Sequence, residues 1–224
     1  HLKNKIFKHA SLAFEEDPLR VLRFARFKSY KQLNDFDLHE ETKVLFDKIV
    51  ASTELKDLSP ERVWMETKKA LENNFSDKFF KTLIKYHLTD PWFKNLKSVS
   101  CNGDLPELKW ADMQRINCFQ LSASLPIPNS YIKVIDSLKL VINFIESSNK
   151  SEKLRLLEKM NVRRNYEILM HCKQYESLNE HQDYLEKIFK SVMAIDFSVL
   201  ANLSESEVLN QKQLLYYEAL HEII

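Results

Sequence analysis

Apolar residues recur at intervals of three and four along most of the 224-residue chain, which is the period of an α-helix. The clearest segment follows Asp17-Pro18, where an acceptor side chain and a proline are typical of a helix start, and it extends to about residue 28. Phe24 and Phe27 depart from its pattern because they lie among charged positions. The apolar arc consists of Leu19, Val21, Leu22 and Ala25, and the charged arc of Asp17, Arg20, Arg23 and Arg26.

The same period predicts helices through the rest of the chain. Three lie in the first half, over residues 39–52, from residue 59 and over 76–86, and six in the second half, over 109–123, 129–146, 151–160, 164–175, 178–194 and 204–221. The residues predicted to be buried in the first-half helices are Val44, Leu45, Ile49 and Val50; Val63, Trp64, Thr67 and Leu71; and Phe79, Phe80, Leu83 and Ile84. Trp92 and Phe93 are also expected in the core. No hairpin turn joins alternating strands, so the predicted class is all-α.

Loop composition is clear only in S-V-S-C-N-G-D, residues 98–104, and we predict a domain boundary there, between residues 1–97 and 98–224. Gly103 is the single glycine of the chain. So low a glycine content is typical of helical proteins. It also excludes a Walker loop or a dinucleotide fingerprint, since each needs several glycines close to phosphate.

A net charge of +1 gives no whole-chain argument for a nucleic-acid partner, so local clusters must supply the positive charge. There are three: Lys3, Lys5, Lys8 and His9; Arg20, Arg23, Arg26 and Lys28; and Lys159, Arg163 and Arg164, with Lys173 near them. Each also fits a solvated helix face. The third, Lys159, Arg163 and Arg164, is the candidate RNA-binding surface of the second half.

The three cysteines, Cys101, Cys118 and Cys172, have neither metal-binding nor redox spacing and are expected to be free thiols. No apolar run has the length of a membrane span or the form of a signal peptide, so we expect a cytoplasmic protein without membrane contact. The chain begins at His1 rather than Met, which suggests an upstream part.

Asp17 and Arg20 could recognise a nucleobase edge. Cytosine and adenine present an amino donor beside a ring-nitrogen acceptor, whereas guanine and uracil present a carbonyl beside a ring N–H. A carboxylate that accepts from the amino group and a guanidinium that donates to the ring nitrogen would select C and A. The alternative is that Asp17 caps the helix and the arginines form surface ion pairs worth roughly 0–1 kcal/mol each. The residues alone leave both open.

Three motifs resemble those of the bacterial tRNA nucleotidyltransferase (CCA-adding) and poly(A) polymerase superfamily: F-K-H-A-S from residue 7, E-D-P-L-R-V-L-R-F-A-R-F from residue 16, and L-S-P-E-R-V-W-M-E-T from residue 58. The resemblance covers residues 2 to about 96. It implies that Glu16, Asp17 and Arg20 form a protein template for the incoming CTP or ATP, with Arg23 as a further nucleotide contact. It also implies that Glu61 and Arg62 brace this template.

By this resemblance the chain is an elongated helical neck, body and tail, partnered by an N-terminal nucleotidyltransferase head. The whole enzyme would transfer CMP and AMP to the tRNA 3′ end, with Mg²⁺ bound by carboxylates of the head. Those carboxylates and the head's glycine-containing loop are not in this sequence, nor is the His-Asp pair of the phosphohydrolase domain in longer relatives. We therefore expect no catalytic or metal-binding residue here, and an inactive isolated chain. A poly(A) polymerase part, or a helical RNA- or protein-binding module without a nucleotide site, are the alternatives.

Overall fold

The computed structural model describes residues 2–121, 124–201 and 203–224. In these ranges the chain forms ten α-helices and two short strands, which confirms the all-α class. In chain order the elements are β1 (Ile6–Phe7), α1 (Leu19–Phe27), β2 (Asp37–Leu38), α2 (Glu40–Ser52), α3 (Pro60–Leu71), α4 (Ser76–Lys85), α5 (Pro106–Ile116), α6 (Asn129–Glu146), α7 (Lys150–Met160), α8 (Val162–Cys172), α9 (Gln182–Ala194) and α10 (Glu205–Leu220).

Two compact units make up the chain, residues 1–132 and residues 133–224. We call them the amino-terminal and the carboxy-terminal unit. The first contains β1, β2 and α1–α5, and the second contains α7–α10. The predicted division at residue 97 stays a prediction.

The amino-terminal unit is built around α1, which packs against α3 and α4. β1 and β2 pair in parallel, with Ile6 opposite Asp37 and Phe7 opposite Leu38. This pairing joins the segment before α1 to the segment before α2. A 3₁₀-helix, Leu12–Glu16, then leads the chain into α1.

The predicted apolar arc of α1 is confirmed, because all four of its residues are buried. Phe24 is buried as well: its ring meets those of Phe7, Phe46 and Tyr86 edge-to-face, with centroids 5.1, 5.3 and 5.8 Å apart. Phe24 therefore belongs to the core despite its charged neighbours in sequence. The arc of α1 that faces the protein is wider than the apolar positions indicate.

The predicted buried faces of the next helices are confirmed for α3 and only partly for α2 and α4. In α2 the prediction for Val44 is wrong, since it is 55% exposed, and Phe46 is buried in addition to Leu45 and Ile49. In α4 Ile84 is 39% exposed. The burial of Trp92 and Phe93 is confirmed.

Residues 97–105, which contain the predicted loop, have no regular structure and are held by two side chains of the segment that follows. Asp112 is fully buried; it accepts from Asn102 N at 3.0 Å and pairs with Arg115 at 2.7 Å. Asn117 Oδ1 accepts from Lys97 N at 2.9 Å. α5 begins at Pro106 and ends at Ile116, so it is shorter than predicted; residues 122 and 123 of that prediction lie outside the described residues.

Positive φ angles occur at the single glycine and at several other residues. Gly103 has φ +113°, and a Cβ there would lie 2.6 Å from Leu108 Cβ, so the position requires glycine. The other described residues with positive φ are Lys5, Thr53, His87, Cys118, Phe119 and Asn161. Most tight turns of this chain are therefore formed by residues that carry a side chain.

The carboxy-terminal unit follows the predicted helices with two shifts. Asn161 (φ 45°, ψ 61°) ends α7 and starts α8, which begins at Val162 rather than at residue 164. The predicted helix over 178–194 is divided, because Glu176–His181 is a 3₁₀-helix and α9 follows it. The capping box of α10 is present, with Ser204 N donating to Glu207 Oε2 at 2.9 Å. None of the helices in the described part of the chain has the length and apolar character needed to cross a membrane.

Candidate functional site

Asp17 lies between the 3₁₀-helix Leu12–Glu16 and α1, in extended backbone with φ −131° and ψ 98°. Its Oδ1 accepts from Leu19 N at 3.2 Å, so its side chain caps the helix start as predicted. Because Asp17 precedes α1, its side chain does not lie on the charged arc of the helix that the sequence predicted for Asp17 and Arg20. The orientation of the two side chains is set by other contacts.

The Asp17 carboxylate pairs with Arg62 of α3. Arg62 Nη2 donates to Oδ1 at 3.0 Å and to Oδ2 at 3.2 Å. Arg23 Nη1 lies 4.0 Å from Oδ2. The side chains of Asp17, Arg23 and Arg62 are 25%, 45% and 48% exposed, so the carboxylate can be reached from solvent. Arg62 thus ties α3 to the start of α1, while the exposed Glu61 has no such contact among those described.

Arg20 is anchored to the 3₁₀-helix before α1. Its Nη1 donates to the carbonyl oxygen of Ala13, and its guanidinium lies 6.0 Å from the ring centroid of Phe14. A guanidinium has several N–H donors, so this bond fixes its position without using all of them. Glu16, the acidic neighbour of Asp17, ends the 3₁₀-helix and is exposed.

Glu66 of α3 joins Arg23 to Arg26. Its side chain is only 6% exposed; Oε1 lies 3.7 Å from Arg23 Nε, and Oε2 lies 2.8 Å from Arg26 Nε. The latter contact is an ion pair whose N–H does not point at the oxygen. Arg26 Nη1 donates to the Tyr30 hydroxyl at 3.1 Å. We call Asp17, Arg23, Arg26, Arg62 and Glu66 the α1–α3 charge cluster.

No role for Glu66 was predicted from the sequence. The available signal was its spacing, because Arg62 and Glu66 are four residues apart on a predicted helix and therefore share a face. Their contacts with α1 depend on how two helices pack. That information is not in a helical wheel.

Three further cations of the first two basic clusters contact the protein itself. Lys5 pairs with Asp35, and Lys8 pairs with Glu41 at 2.7 Å. Lys28 donates to the carbonyl oxygen of Phe36, and burial lowers the pKa of its ammonium group. These contacts hold the segments around β1 and β2 together.

The third basic cluster lies at the junction of α7 and α8, and we call Lys159, Arg163 and Arg164 the α7–α8 cluster. All three residues are exposed. Arg163 differs in its contacts, because its Nη2 donates to two carbonyl oxygens at the end of α9, those of Met193 at 3.2 Å and of Ile195. Its guanidinium lies 4.7 Å from the ring centroid of Phe197.

Lys173, near this cluster in sequence, is buried and pairs with Glu186. Hydrogen bonds from Lys173 and Lys190 lower the pKa of the Glu186 carboxyl to about 2. Lys173 is therefore part of an internal ion pair between the segment after α8 and α9. Lys159, Arg163 and Arg164 are exposed, and of these three only Arg163 has a described contact with the end of α9.

The described residues contain no group of three His, Cys, Asp or Glu arranged to hold a metal ion. Asp17 and Glu66 each contact arginines rather than one another. The residues of this structure therefore do not fit the Mg²⁺ site that the resemblance implies for the whole enzyme.

Residues 35–99 match a family model described as "Probable RNA and SrmB-binding site of polymerase A". The chain is 43% identical over 110 residues to the "Multifunctional CCA protein" of Pseudoalteromonas atlantica, covering 49% of this chain and 26% of that protein. It is 42% identical over 97 residues to the "CCA-adding enzyme" of Alteromonas mediterranea (43% and 24%), and 45% identical over 82 residues to that of Coxiella burnetii (37% and 21%). No solved structure matches the chain.

The matched region spans about a quarter of the length of these curated relatives. The matched relatives are CCA proteins, and the family model describes a region of polymerase A. These matches confirm the resemblance that the motifs indicated: in the part that they cover, the chain is similar to CCA-adding enzymes and to a region of polymerase A.

Proposed function

We propose that this chain is the nucleotide-selecting and tRNA-binding helical part of a CCA-adding nucleotidyltransferase. In this proposal it works with an N-terminal head that carries out the transfer of CMP and AMP to the tRNA 3′ end. The printed names of the relatives support the class of enzyme. The observation that carries the selection of CTP and ATP is the orientation of a solvent-accessible carboxylate, Asp17, by fixed donors.

Asp17 is suited to accept from the amino group of cytosine or adenine. Leu19 N and Arg62 hold the carboxylate on one side, and its side chain is still a quarter exposed. A carboxylate offers more acceptor positions than these two donors use. The amino group of a base can therefore be bound without breaking the contacts that orient Asp17.

Arg20 would donate to the ring nitrogen beside that amino group. Its anchor on Ala13 restricts the guanidinium to one position and leaves other N–H groups for the base. Uracil and guanine would direct a carbonyl at Asp17 and an N–H at Arg20. Such a mismatch leaves desolvated groups without partners, at about 1–3 kcal/mol for each.

Arg23 is the further nucleotide contact in this proposal. It is nearly half exposed and lies next to Asp17, so it places positive charge beside the bound base. Glu16 completes the motif from the end of the 3₁₀-helix. Mg²⁺ would be held by the head, where it would neutralise the reacting phosphates; the residues of this chain bind and orient the base.

The tRNA would contact the exposed Lys159 and Arg164. Phosphate contacts from such residues supply affinity and position but carry no sequence information. The contacts of Arg163 with the end of α9 give that residue a structural role in addition to any RNA contact. The RNA-binding description of the family model, which covers residues 35–99, supports a second RNA contact in the amino-terminal unit.

The test is nucleotide choice by the chain joined to its head, in Asp17→Ala and Arg20→Ala variants. We expect both to lose about tenfold or more of the preference for CTP and ATP over UTP and GTP, as the loss of a buried hydrogen bond implies. Glu15→Ala is the matched control, because it removes an exposed pair with Lys48 from the same 3₁₀-helix. Unchanged choice in both site variants would refute the template role.

A poly(A) polymerase part is the second candidate, favoured by the description of the family model. The donor–acceptor pattern at Asp17 and Arg20 suits adenine and cytosine equally. The products decide: a CCA end on tRNA supports the first proposal, and an A-only tail supports the second. If the chain is instead a helical binding module without a nucleotide site, Arg20→Ala should change neither the nucleotide choice nor the product.

A further inference from the structure

We propose that Glu66 is a positioning residue that holds Arg23 away from Asp17 and so keeps the carboxylate available to a base. The inference rests on the proposed function, in which Asp17 is the acceptor. Glu66 itself is buried in the α1–α3 interface, so in this proposal its carboxylate does not contact the base. Its effect on the site would pass through Arg23 alone.

Arg23 lies between two carboxylates. Its Nη1 is 4.0 Å from Asp17 Oδ2, and its Nε is 3.7 Å from Glu66 Oε1. Both distances exceed that of a hydrogen bond, so no directed bond to either carboxylate fixes the guanidinium. The balance of two attractions sets its position, and a change in either charge moves it.

Burial makes Glu66 the stronger competitor. Its side chain is 6% exposed against 25% for Asp17, and solvent screens a buried charge less. Arg26 at 2.8 Å offsets the cost of burying the Glu66 carboxylate. Asp17 already has Arg62 as a partner, which reduces its attraction for a second cation.

Loss of the Glu66 charge would leave Asp17 as the nearest carboxylate to Arg23. The guanidinium would then close to hydrogen-bonding distance and occupy Oδ2. Arg62 already shares that oxygen at 3.2 Å, so little acceptor capacity would be left for an amino group. Nucleotide selection would fall although every residue that contacts the base is intact.

The first arm of the test measures nucleotide choice in the chain joined to its head. We expect Glu66→Gln to lower the preference for CTP over UTP about tenfold, the effect of one lost hydrogen bond. Adding Arg23→Ala to Glu66→Gln should return the preference to that of Arg23→Ala alone. Tyr30→Phe is the control, because it removes the hydroxyl that accepts from Arg26 and leaves every charge of the α1–α3 charge cluster in place.

The second arm needs no nucleotide and uses this chain alone. All three tryptophans, Trp64, Trp92 and Trp110, lie in the amino-terminal unit, so their fluorescence reports its thermal unfolding. The shifts in midpoint from Asp17→Asn and Arg23→Ala should be nearly additive in the native background. They should become non-additive in the Glu66→Gln background, where the two side chains form a direct pair.

Each outcome has one meaning. The role of Glu66 is overturned if the midpoint shifts of Asp17→Asn and Arg23→Ala are additive in both the native and the Glu66→Gln background. It is also overturned if adding Arg23→Ala to Glu66→Gln does not return the nucleotide preference to that of Arg23→Ala alone. New coupling in Glu66→Gln together with unaltered selection in Asp17→Ala upholds the positioning role and refutes the template. If Glu66→Gln does not fold, Glu66→Asp keeps the charge but withdraws it from Arg23, and it must lower selection by a smaller factor; unchanged selection there counts against the proposal.

Discussion

Two regions of this molecule are rich in arginine but differ in their contacts. In the α1–α3 charge cluster, Arg23 and Arg62 contact the carboxylate of Asp17 and stay nearly half exposed. In the α7–α8 cluster, Arg163 contacts main-chain carbonyls at the end of α9 and the ring of Phe197. An arginine near an exposed carboxylate can exchange its partner for a ligand. Arg163, bound to the carbonyls of Met193 and Ile195, holds a helix end in place.

The largest expected effect tests the buried part of the α1–α3 charge cluster. Arg26→Ala leaves the Glu66 carboxylate buried without its nearest partner, which should reduce the free energy of unfolding by about 3 kcal/mol. Denaturant unfolding followed by tryptophan fluorescence measures it. Lys48→Ala, which removes an exposed pair with Glu15, should cost less than about 1 kcal/mol. Equal effects for both variants would mean that the Glu66–Arg26 pair is not a buried anchor.

Arg163→Ala tests the structural half of the comparison. Loss of the bonds to the end of α9 and of the contact with Phe197 should lower the stability of the carboxy-terminal unit by about 1–2 kcal/mol. Hydrogen exchange of the last amides of α9 measures it directly, since they should exchange faster. Unaltered exchange, with weaker RNA binding, would show that Arg163 acts as an RNA contact instead.

Lys159→Ala and Arg164→Ala test the two residues of the α7–α8 cluster that have no described contact with the end of α9. We expect each to weaken tRNA binding and to reduce the slope of log affinity against log salt by about 0.7–0.9, the value for one phosphate contact. Stability should change by less than about 0.5 kcal/mol, because both side chains are exposed. Arg155→Ala, at an exposed arginine of α7, is the control for a change in overall charge. A slope that falls equally in the control would indicate non-specific attraction.

The smallest expected effect concerns the stability of the protein at low pH. Because Lys173 and Lys190 lower the pKa of Glu186 to about 2 from 4.5, their contribution to stability is complete above pH 4.5. It is lost as the pH falls toward 2, where the folded protein also binds the proton. The difference in thermal midpoint between the native chain and Glu186→Gln should therefore narrow as the pH falls from 5 to about 2. A constant difference would mean that the carboxyl titrates normally.

The features that were predicted best from the sequence are those that depend on neighbouring positions along the chain. The all-α class, the apolar arc of α1, the buried side of α3 and the capping box of α10 all follow from local periodicity and local hydrogen bonds. Val44 and Phe46 are two positions apart in sequence, and periodicity alone did not decide which would face the core. The position of α2 against the rings of Phe14, Phe24 and Tyr86 decided it.

For the candidate site, the motif named residues, and their contacts could not be predicted from it. Asp17, Arg20 and Arg23 were named from the motif, yet Asp17 is extended and its carboxylate contacts Arg62, 45 positions away. Glu66 was missed for the same reason. Such partners come from the packing of α1 on α3, and a pattern confined to one helix carries no information about them.

The scarcity of glycine has a consequence for engineering. Thr53 ends α2 with φ 63°, a left-handed conformation that disfavours β-branched residues, and five other described residues without glycine's freedom have positive φ. Strain of this kind is removable one position at a time, with no contact in the interior disturbed. A more heat-resistant version of this protein could therefore be made at its turns, leaving the helices and the charged surface as they are.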